Sequence, residues 1–460
     1  MTYFFETYGC QMNVAESYSV ERIFLERGWT KSPSAETADF VIINTCTVRA
    51  TAESRIAGRL GWYDSLKLVR SLHPDAKYHV FPEAASLARS HAGNPPPLIL
   101  AVMGCMAERL LKTLKKDFPA VDYVIGNFQK QNIADILQAV EEGKSWIPVD
   151  EEPVYSFAHT SYEKGSFSAF VPIMHGCNNF CTYCIVPYVR GREVSRPPEE
   201  ILKEIDELSA NNVREITVLG QNVNSYKWND IDFPKLMKMI AEHLKEIKSS
   251  IGWVRFMSSH PKDISEKLIE VIRDERVLCR HIHLPVQHGS NTILDAMNRR
   301  YTRESYLEKI EKIKTMLPDA SLSTDILVGF PGETEEDIDD TLDLMEKVQF
   351  VTAFMYYYNP REGTKACTFD NQIPMEVKKK RLAKIIALQH RIIKELMSKR
   401  LGQTVTVLAE SLSRDNKNEL LGKTEQDERV VFSAGRERIG SFIQVKLIEL
   451  TGNTFRGIVV

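Results

Sequence analysis

Long apolar runs are missing. Nothing in the 460 residues approaches the eighteen or more apolar residues that a membrane span needs. The first residues, MTYFFETYGCQMN, also lack the basic stretch followed by an apolar one that marks a secretory leader. The expectation is a soluble cytoplasmic protein with no membrane partner. Strong net charge is missing as well: 59 Lys and Arg stand against 62 Asp and Glu, which argues against indiscriminate binding of nucleic acid. Cysteine is scarce, with eight in the chain. In a reducing compartment, clustered thiols point to metal or redox chemistry rather than to disulfides. With 43% hydrophobic and 26% charged residues, the composition is that of an ordinary globular chain. Its length suits roughly two to four domains.

Residues 1–145 alternate the apolar runs YFFETYGC, ADFVIINTC, LILAVMGC and VDYVIG with helical patterns, as open parallel α/β sheets do. Three of these runs end in Cys10, Cys46 and Cys105. Loops at the carboxyl ends of parallel strands carry ligands, so three thiols far apart in the chain are expected to converge on one edge. A Pro- and Ala-rich stretch between Leu72 and Pro97 reads as a surface insertion, and 146–167 as a linker. Residues 168–397 repeat the alternation in about six units and then run into a basic helix, which predicts a partial (β/α)6 barrel with its chemistry at the strand ends. The turns HGC, GQN, SSHP, PVQHGS and GFPGET fall there. From Glu376 to Arg400 there are nine Lys or Arg against two Glu, either a solvated face or a surface for phosphates. Residues 398–460 are short β-branched segments between Gly, Asn and Asp turns. They predict a small antiparallel β-barrel of the kind that binds oligonucleotides, or one that only packs on its neighbour.

The stretch HGCNNFCTYCIVP puts Cys177, Cys181 and Cys184 into eight residues. A structural zinc site wants four ligands, commonly as two separated pairs, and no fourth is nearby. A four-iron cluster held by three thiolates leaves one iron open for a bound molecule while the cluster supplies an electron. His175 is read as a structural neighbour rather than a fourth ligand.

On that spacing, with an aromatic Tyr183 before the last cysteine, the segment resembles the radical S-adenosylmethionine enzymes. The resemblance implies that the open iron binds the methionyl amine and carboxylate, and that an electron from the cluster releases a radical able to abstract an unactivated hydrogen. TYGCQMN, INTCTVRA, MGCMAER, GCNNFCTYCIVPYVRGREVSRP, LGQNVNSY, SSHPKD, HLPVQHGS and STDILVGFPGET narrow it, since together they are similar to the methylthiotransferases along essentially the whole chain. In that family, Cys10, Cys46 and Cys105 would hold a second [4Fe-4S] cluster, and residues 398–460 would be the RNA-binding TRAM barrel. CTYCIVPYVRGREVSRP with LGQNVNSY most resembles the tRNA 2-methylthio-N6-dimethylallyladenosine synthases. The implied partner is the anticodon stem-loop of tRNA and the implied target adenosine 37, with two S-adenosylmethionine used per product and an electron donor and a sulfur source in attendance. The sister reaction on threonylcarbamoyladenosine, methylthiolation of a ribosomal-protein aspartate, and a non-catalytic iron–sulfur RNA-binding sensor are the other readings. A monomer is expected.

For S-adenosylmethionine, Gln221, Asn222, Asn224, Ser258 and Gln287 lie at strand ends beside Tyr183, although polar side chains also cap turns. Arg299 and Arg300 suit a carboxylate, a phosphate or a salt bridge. For substrate, the run FMYYYNPREGT offers Tyr356 and Tyr358 to stack an unpaired base and Arg361 to meet phosphate, with about half of its tyrosines expected in the core. Arg190, with Arg192 and Arg196, offers further phosphate contacts or helix-start salt bridges. GETEED is read as a helix-capping box. Cys279 and Cys367 are read as ordinary thiols.

Overall fold

The computed structural model describes residues 1–47, 50–71, 98–144, 146, 155–157, 162–163 and 165–460. The expected surface insertion and most of the expected linker lie outside them. The chain forms two compact units: Met1–Glu163 with His175–Cys177 and Ile185–Val194, and Lys164–Met174 with Asn178–Cys184 and Ser195–Val460.

In the first unit, β1 (Thr2–Thr7), β2 (Thr30–Lys31), β3 (Phe40–Thr45), β4 (Ile99–Gly104) and β5 (Tyr123–Ile125) form a parallel sheet in the order β2-β1-β3-β4-β5. Every residue of β3 is buried, because side chains alternate across a sheet that helices cover on both faces. Val41 and Ile43 pack with Leu100, Val102, Ile56 and Leu60 on one side. Phe40 and Ile42 pack with Phe24, Ile136 and Leu137 on the other.

In the second unit, six parallel strands stand as two three-stranded sheets. One is ordered Trp253–Phe256, Glu215–Leu219, Ser168–Pro172, and the other His281–His283, Ser321–Val328, Thr352–Tyr357. A single parallel bridge from Val254 to Leu278 links the first sheet to the approach of the second. Ile216, Val218, Val254, Ile282 and Ile326 alternate out toward the helices and are fully buried. The opposite face carries polar groups: Thr217 sits across from Arg255 and His283 from Ser323, with Asp325 across from the aromatic Phe354. The turns that close the strands at their carboxyl ends are cross-braced. Glu333 of the Gly332 turn takes hydrogen bonds from the Gly329 amide (2.7 Å) and pairs with His288 (3.2 Å) and Arg381 (2.9 Å).

At 404–459, five strands close into a barrel. It is not wholly antiparallel as expected: Arg429–Ser433 runs parallel to Thr454–Val459, because the intervening strand Phe442–Thr451 crosses the barrel before the chain returns. Ile393 and Met397 of the helix Met375–Ser398 enter its core beside Val407, Phe432 and Phe455. The tip after Thr424 is seated at the amino ends of the parallel strands. There Arg255 donates to the carbonyls of Thr424 (2.7 Å) and Glu425 (2.8 Å), Ser321 Oγ to that of Gln426 (2.9 Å), and Lys423 pairs with Glu215 (3.0 Å). No described helix is long and apolar enough to cross a membrane.

Candidate active site

Cys10 caps the helix Gln11–Glu26 directly after β1, Cys46 follows β3, and Cys105 opens the helix Cys105–Arg109 after β4. Since β1, β3 and β4 are neighbours, the three thiols stand at the carboxyl ends of adjacent strands. Helix starts favour anionic groups. Asn13 knits the first two loops: its Nδ2 donates to Asn44 Oδ1 (2.9 Å) and the Thr45 carbonyl (3.2 Å), while its Oδ1 accepts from Cys10 Sγ (3.3 Å). Gly104, at φ +94°, lies so close that a Cβ there would fall 2.5 Å from both Asn44 Oδ1 and the Thr45 carbonyl. Asn127 Nδ2 donates to Cys105 Sγ (3.7 Å) and to the Val189 carbonyl (2.7 Å). Beside them Arg190 Nη1 donates to Glu16 (2.8 Å) and meets His175 Nδ1 (3.4 Å), and Lys130 pairs with Glu16 (2.7 Å). Burial opposes ionisation of Glu16, but Arg190 and Lys130 outweigh it and hold the carboxyl at about 2. Burial, then Arg190, pushes His175 well below its ordinary value, so the ring is neutral, and Tyr155 stacks on it at 3.5 Å.

In the clustered-thiol loop, the Cys177 amide donates to the Gly191 carbonyl (3.1 Å), and Gly176 at φ +78° approaches the Arg192 carbonyl too closely for any Cβ. Cys181 and Cys184 are joined by a turn, Cys184 N to Cys181 O at 2.9 Å. Thr182 Oγ1 donates to the Ala296 carbonyl (2.8 Å), and Asn298 Nδ2 to those of Asn179 (3.1 Å) and Phe180 (2.9 Å). Buried Arg299 points Nη1 at Cys181 Sγ (3.4 Å), and among the described residues its other donors reach only the Pro285 carbonyl (2.7 Å) and the Tyr301 hydroxyl (3.1 Å). A guanidinium with no carboxylate partner in a buried site calls for a thiolate or a ligand anion. Tyr183 packs with Ile293, Phe330 and Tyr358, and burial raises its hydroxyl well above the ordinary value.

Of the expected cofactor residues, Asn222 is committed to the SSHP turn, Nδ2 to Asp263 (2.7 Å) and Oδ1 from the His260 amide (3.1 Å). Asn224 has both amide atoms buried with no hydrogen-bond partner among the described residues. Ser258 (φ +67°) and Gln287 (φ +70°) hold left-handed backbone at the strand ends, a strain that recurs at ligand sites. Two residues passed over in the sequence join them: Ser259 Oγ and His260 Nε2 are buried and unpartnered among the described residues. Burial, with Arg299 and Lys262, drives His260 down to about 2. Their signal was the full SSHP turn, of which only its first serine had been weighed.

Tyr356 and Tyr358 part company. Tyr356 is exposed on the face it shares with exposed Phe354, a residue the sequence reading passed over, whereas Tyr358 lies past the strand end in the core against Phe330. Arg361 is half-buried. Arg190 is buried and its charge engages Glu16 rather than any outside phosphate. Arg196 is likewise spent on Glu204 and Glu200, the helix-start alternative. Of the nine cations of the basic helix, Lys379, Arg381, Lys384, Arg391 and Arg400 pair with acids, and Lys378 Nζ donates to the Tyr358 carbonyl.

Among the described residues no three His, Cys, Asp or Glu side chains close around a single metal ion. Each thiolate of a four-iron cluster grips a different iron, so thiols spread over neighbouring strand ends, faced by buried arginines, fit such a group. The orphaned atoms of Asn224, Ser259 and His260 fit a polar cofactor.

Family models match the radical SAM superfamily at 171–345, the uncharacterized protein family UPF0004 at 2–126 and the TRAM domain at 398–460. The chain is 51% identical to a tRNA-2-methylthio-N(6)-dimethylallyladenosine synthase of Treponema denticola, covering 99% of both chains. It is 41% identical to the enzyme of that name from Bacteroides thetaiotaomicron, covering 99% of this chain and 95% of the relative. Among solved structures, the radical S-adenosylmethionine methyltransferase TsrM of Kitasatospora setae, with cobalamin and a [4Fe-4S] cluster bound, aligns at a TM-score of 0.55 and 11% identity over 80% of this chain and 74% of that one. That likeness concerns the fold alone.

Proposed function

This chain belongs to the family of tRNA-2-methylthio-N6-dimethylallyladenosine synthases, within the radical S-adenosylmethionine superfamily, and from that premise we propose that it converts N6-dimethylallyladenosine 37 of tRNA to its 2-methylthio derivative. The relationship running the full length of both chains is the observation that carries it. The chemistry agrees. Carbon 2 of adenine bears a strong aromatic C–H with no acidic proton, which side-chain acids and bases cannot remove at ordinary pKa values. The enzyme uses S-adenosylmethionine and [4Fe-4S] clusters, which when bound supply the hydrogen-abstracting radical and the sulfur.

Cys177, Cys181 and Cys184 would hold the first cluster, and Cys10, Cys46 and Cys105 the second. Arg299 keeps charge balance at Cys181 by donating to its sulfur. Asn224, Ser259 and His260, with Gln221, Ser258 and Gln287 around them, would hydrogen-bond S-adenosylmethionine. Phe354 and Tyr356 would stack the splayed base while Arg361 meets backbone phosphate, with the barrel at 398–460 binding the anticodon stem-loop. The working division is 1–145, linker 146–167, 168–397 and 398–460, in a cytoplasmic monomer served by separate electron and sulfur donors. Mass spectrometry of tRNA nucleosides tests it: a strain lacking this gene should lose 2-methylthio-N6-dimethylallyladenosine and regain it on complementation. An unchanged level overturns the substrate. Absence of 5′-deoxyadenosine after dithionite reduction with S-adenosylmethionine would overturn the enzyme.

A further inference from the structure

The charged group around Glu16 lies outside every role assigned above. Glu16 and Arg190 are buried and Lys130 Nζ is buried against Glu16 at 2.7 Å; among the described residues His175 also faces this group, and Glu108 faces it from the Lys130 side. Two cations thus share the Glu16 carboxylate, and Lys130 also meets the field of Glu108, whose carboxylate takes the Asn127 amide (2.6 Å). Sulfur lies beside the same two cations. Cys105 and Cys10 both act electrostatically on Arg190, Cys105 also acts on Lys130, and Cys105 packs against Val189 next to Arg190 in the chain. Buried cations beside sulfur ligands suit a group that carries negative charge.

We infer that Lys130 and Arg190, anchored by Glu16, are positioning residues that balance the negative charge of the iron–sulfur group on Cys10, Cys46 and Cys105 and raise its reduction potential. The inference rests on the ligand assignment proposed above. A fixed cation favours the reduced state, which carries one more electron, and charges around the ligand shell are among the protein's levers on potential. Arg190 is the geometric half of the device, gripping Glu16 with two nitrogens at 2.8 and 3.3 Å. Lys130 is the half whose removal leaves that grip in place.

The test is an anaerobic redox titration of the reconstituted full-length protein, followed by electron paramagnetic resonance, with iron assayed in each sample. Lys130→Met should lower the midpoint of one of the two couples by about 59 mV, a tenfold change in a one-electron equilibrium, and leave the other unmoved. Lys130→Arg should restore it. Glu16→Gln, which removes a negative charge from the same group, should move the same couple the opposite way. Unmoved couples in fully loaded Lys130→Met, or shifts of the same sign in Lys130→Met and Glu16→Gln, overturn the inference. A wild-type content of about four irons per chain instead of about eight overturns the ligand assignment and this inference with it.

Discussion

Tyr356 and Tyr358 share a parity along the chain, yet one faces solvent and the other fills the core, because the strand ends at Tyr357 and the backbone turns before Tyr358. Their substitutions should therefore fail differently. Phe354→Ala or Tyr356→Ala should weaken binding of an anticodon stem-loop by about 1 to 3 kcal/mol with the fold intact. Tyr358→Ala should cost about 3 kcal/mol of stability as a core truncation. Filter binding beside urea titration separates the two, and equal affinities for wild type and Tyr356→Ala would remove that residue from the substrate surface.

His260 supports a pH prediction. Unfolded, the imidazole takes its proton near 6.5, whereas in the fold burial and the neighbouring cations hold it at about 2. The unfolded state therefore binds more protons below pH 6.5, and stability falls as the pH falls from there. At pH 5 the loss is about 2 kcal/mol at 1.36 kcal/mol per pKa unit. His260→Asn should lose less stability between pH 7.5 and 5 than wild type, and parallel pH profiles would refute the assignment. The sequence offered HGC, GQN and SSHP as site turns. It gave no means of knowing that Asn222 braces the turn while Asn224 is left with unpartnered atoms, since that depends on where Asp263 and the His260 amide arrive.

At the scale of elements, the capping box at Thr334 is present as read, but Glu333 just before it does more. It ties the 287–290 and 329–333 turns to the basic helix through His288 and Arg381. Glu333→Gln leaves buried Arg381 with Glu335 as its remaining carboxylate and should cost about 1 to 3 kcal/mol, read as a lowered urea midpoint; a midpoint within about 0.5 kcal/mol of wild type would deny the brace. The basic helix shows the limit of composition. Its cations suggested a phosphate surface, whereas five of the nine meet carboxylates supplied largely by distant segments, Glu333, Glu335, Glu346 and Glu428 among them. Pairings across some 28 to 49 positions of chain leave no trace in local pattern.

For the whole molecule, two sets of three thiols imply two clusters. The variants Cys10→Ala/Cys46→Ala/Cys105→Ala and Cys177→Ala/Cys181→Ala/Cys184→Ala should each hold about half the iron of wild type after anaerobic reconstitution, since a cluster needs its thiolates to remain bound. Only the second set's removal should abolish 5′-deoxyadenosine formation. Wild-type loading in either triple variant would show that its thiols are not ligands.

The alternation of strand and helix, the three thiols at strand ends, the CxxxCxxC loop and the terminal barrel could all be read from the chain alone, because each is written in local periodicity or in spacing within a few residues. Folding alone decided which charges are spent inside, turning Arg190 and Arg196 from phosphate contacts into buried partners of Glu16 and Glu204. It also decided which tip of the barrel seats under Arg255. The reason is physical: a side chain's partners are set by segments that meet only in three dimensions, and burial decides whether its charge faces water or a neighbour.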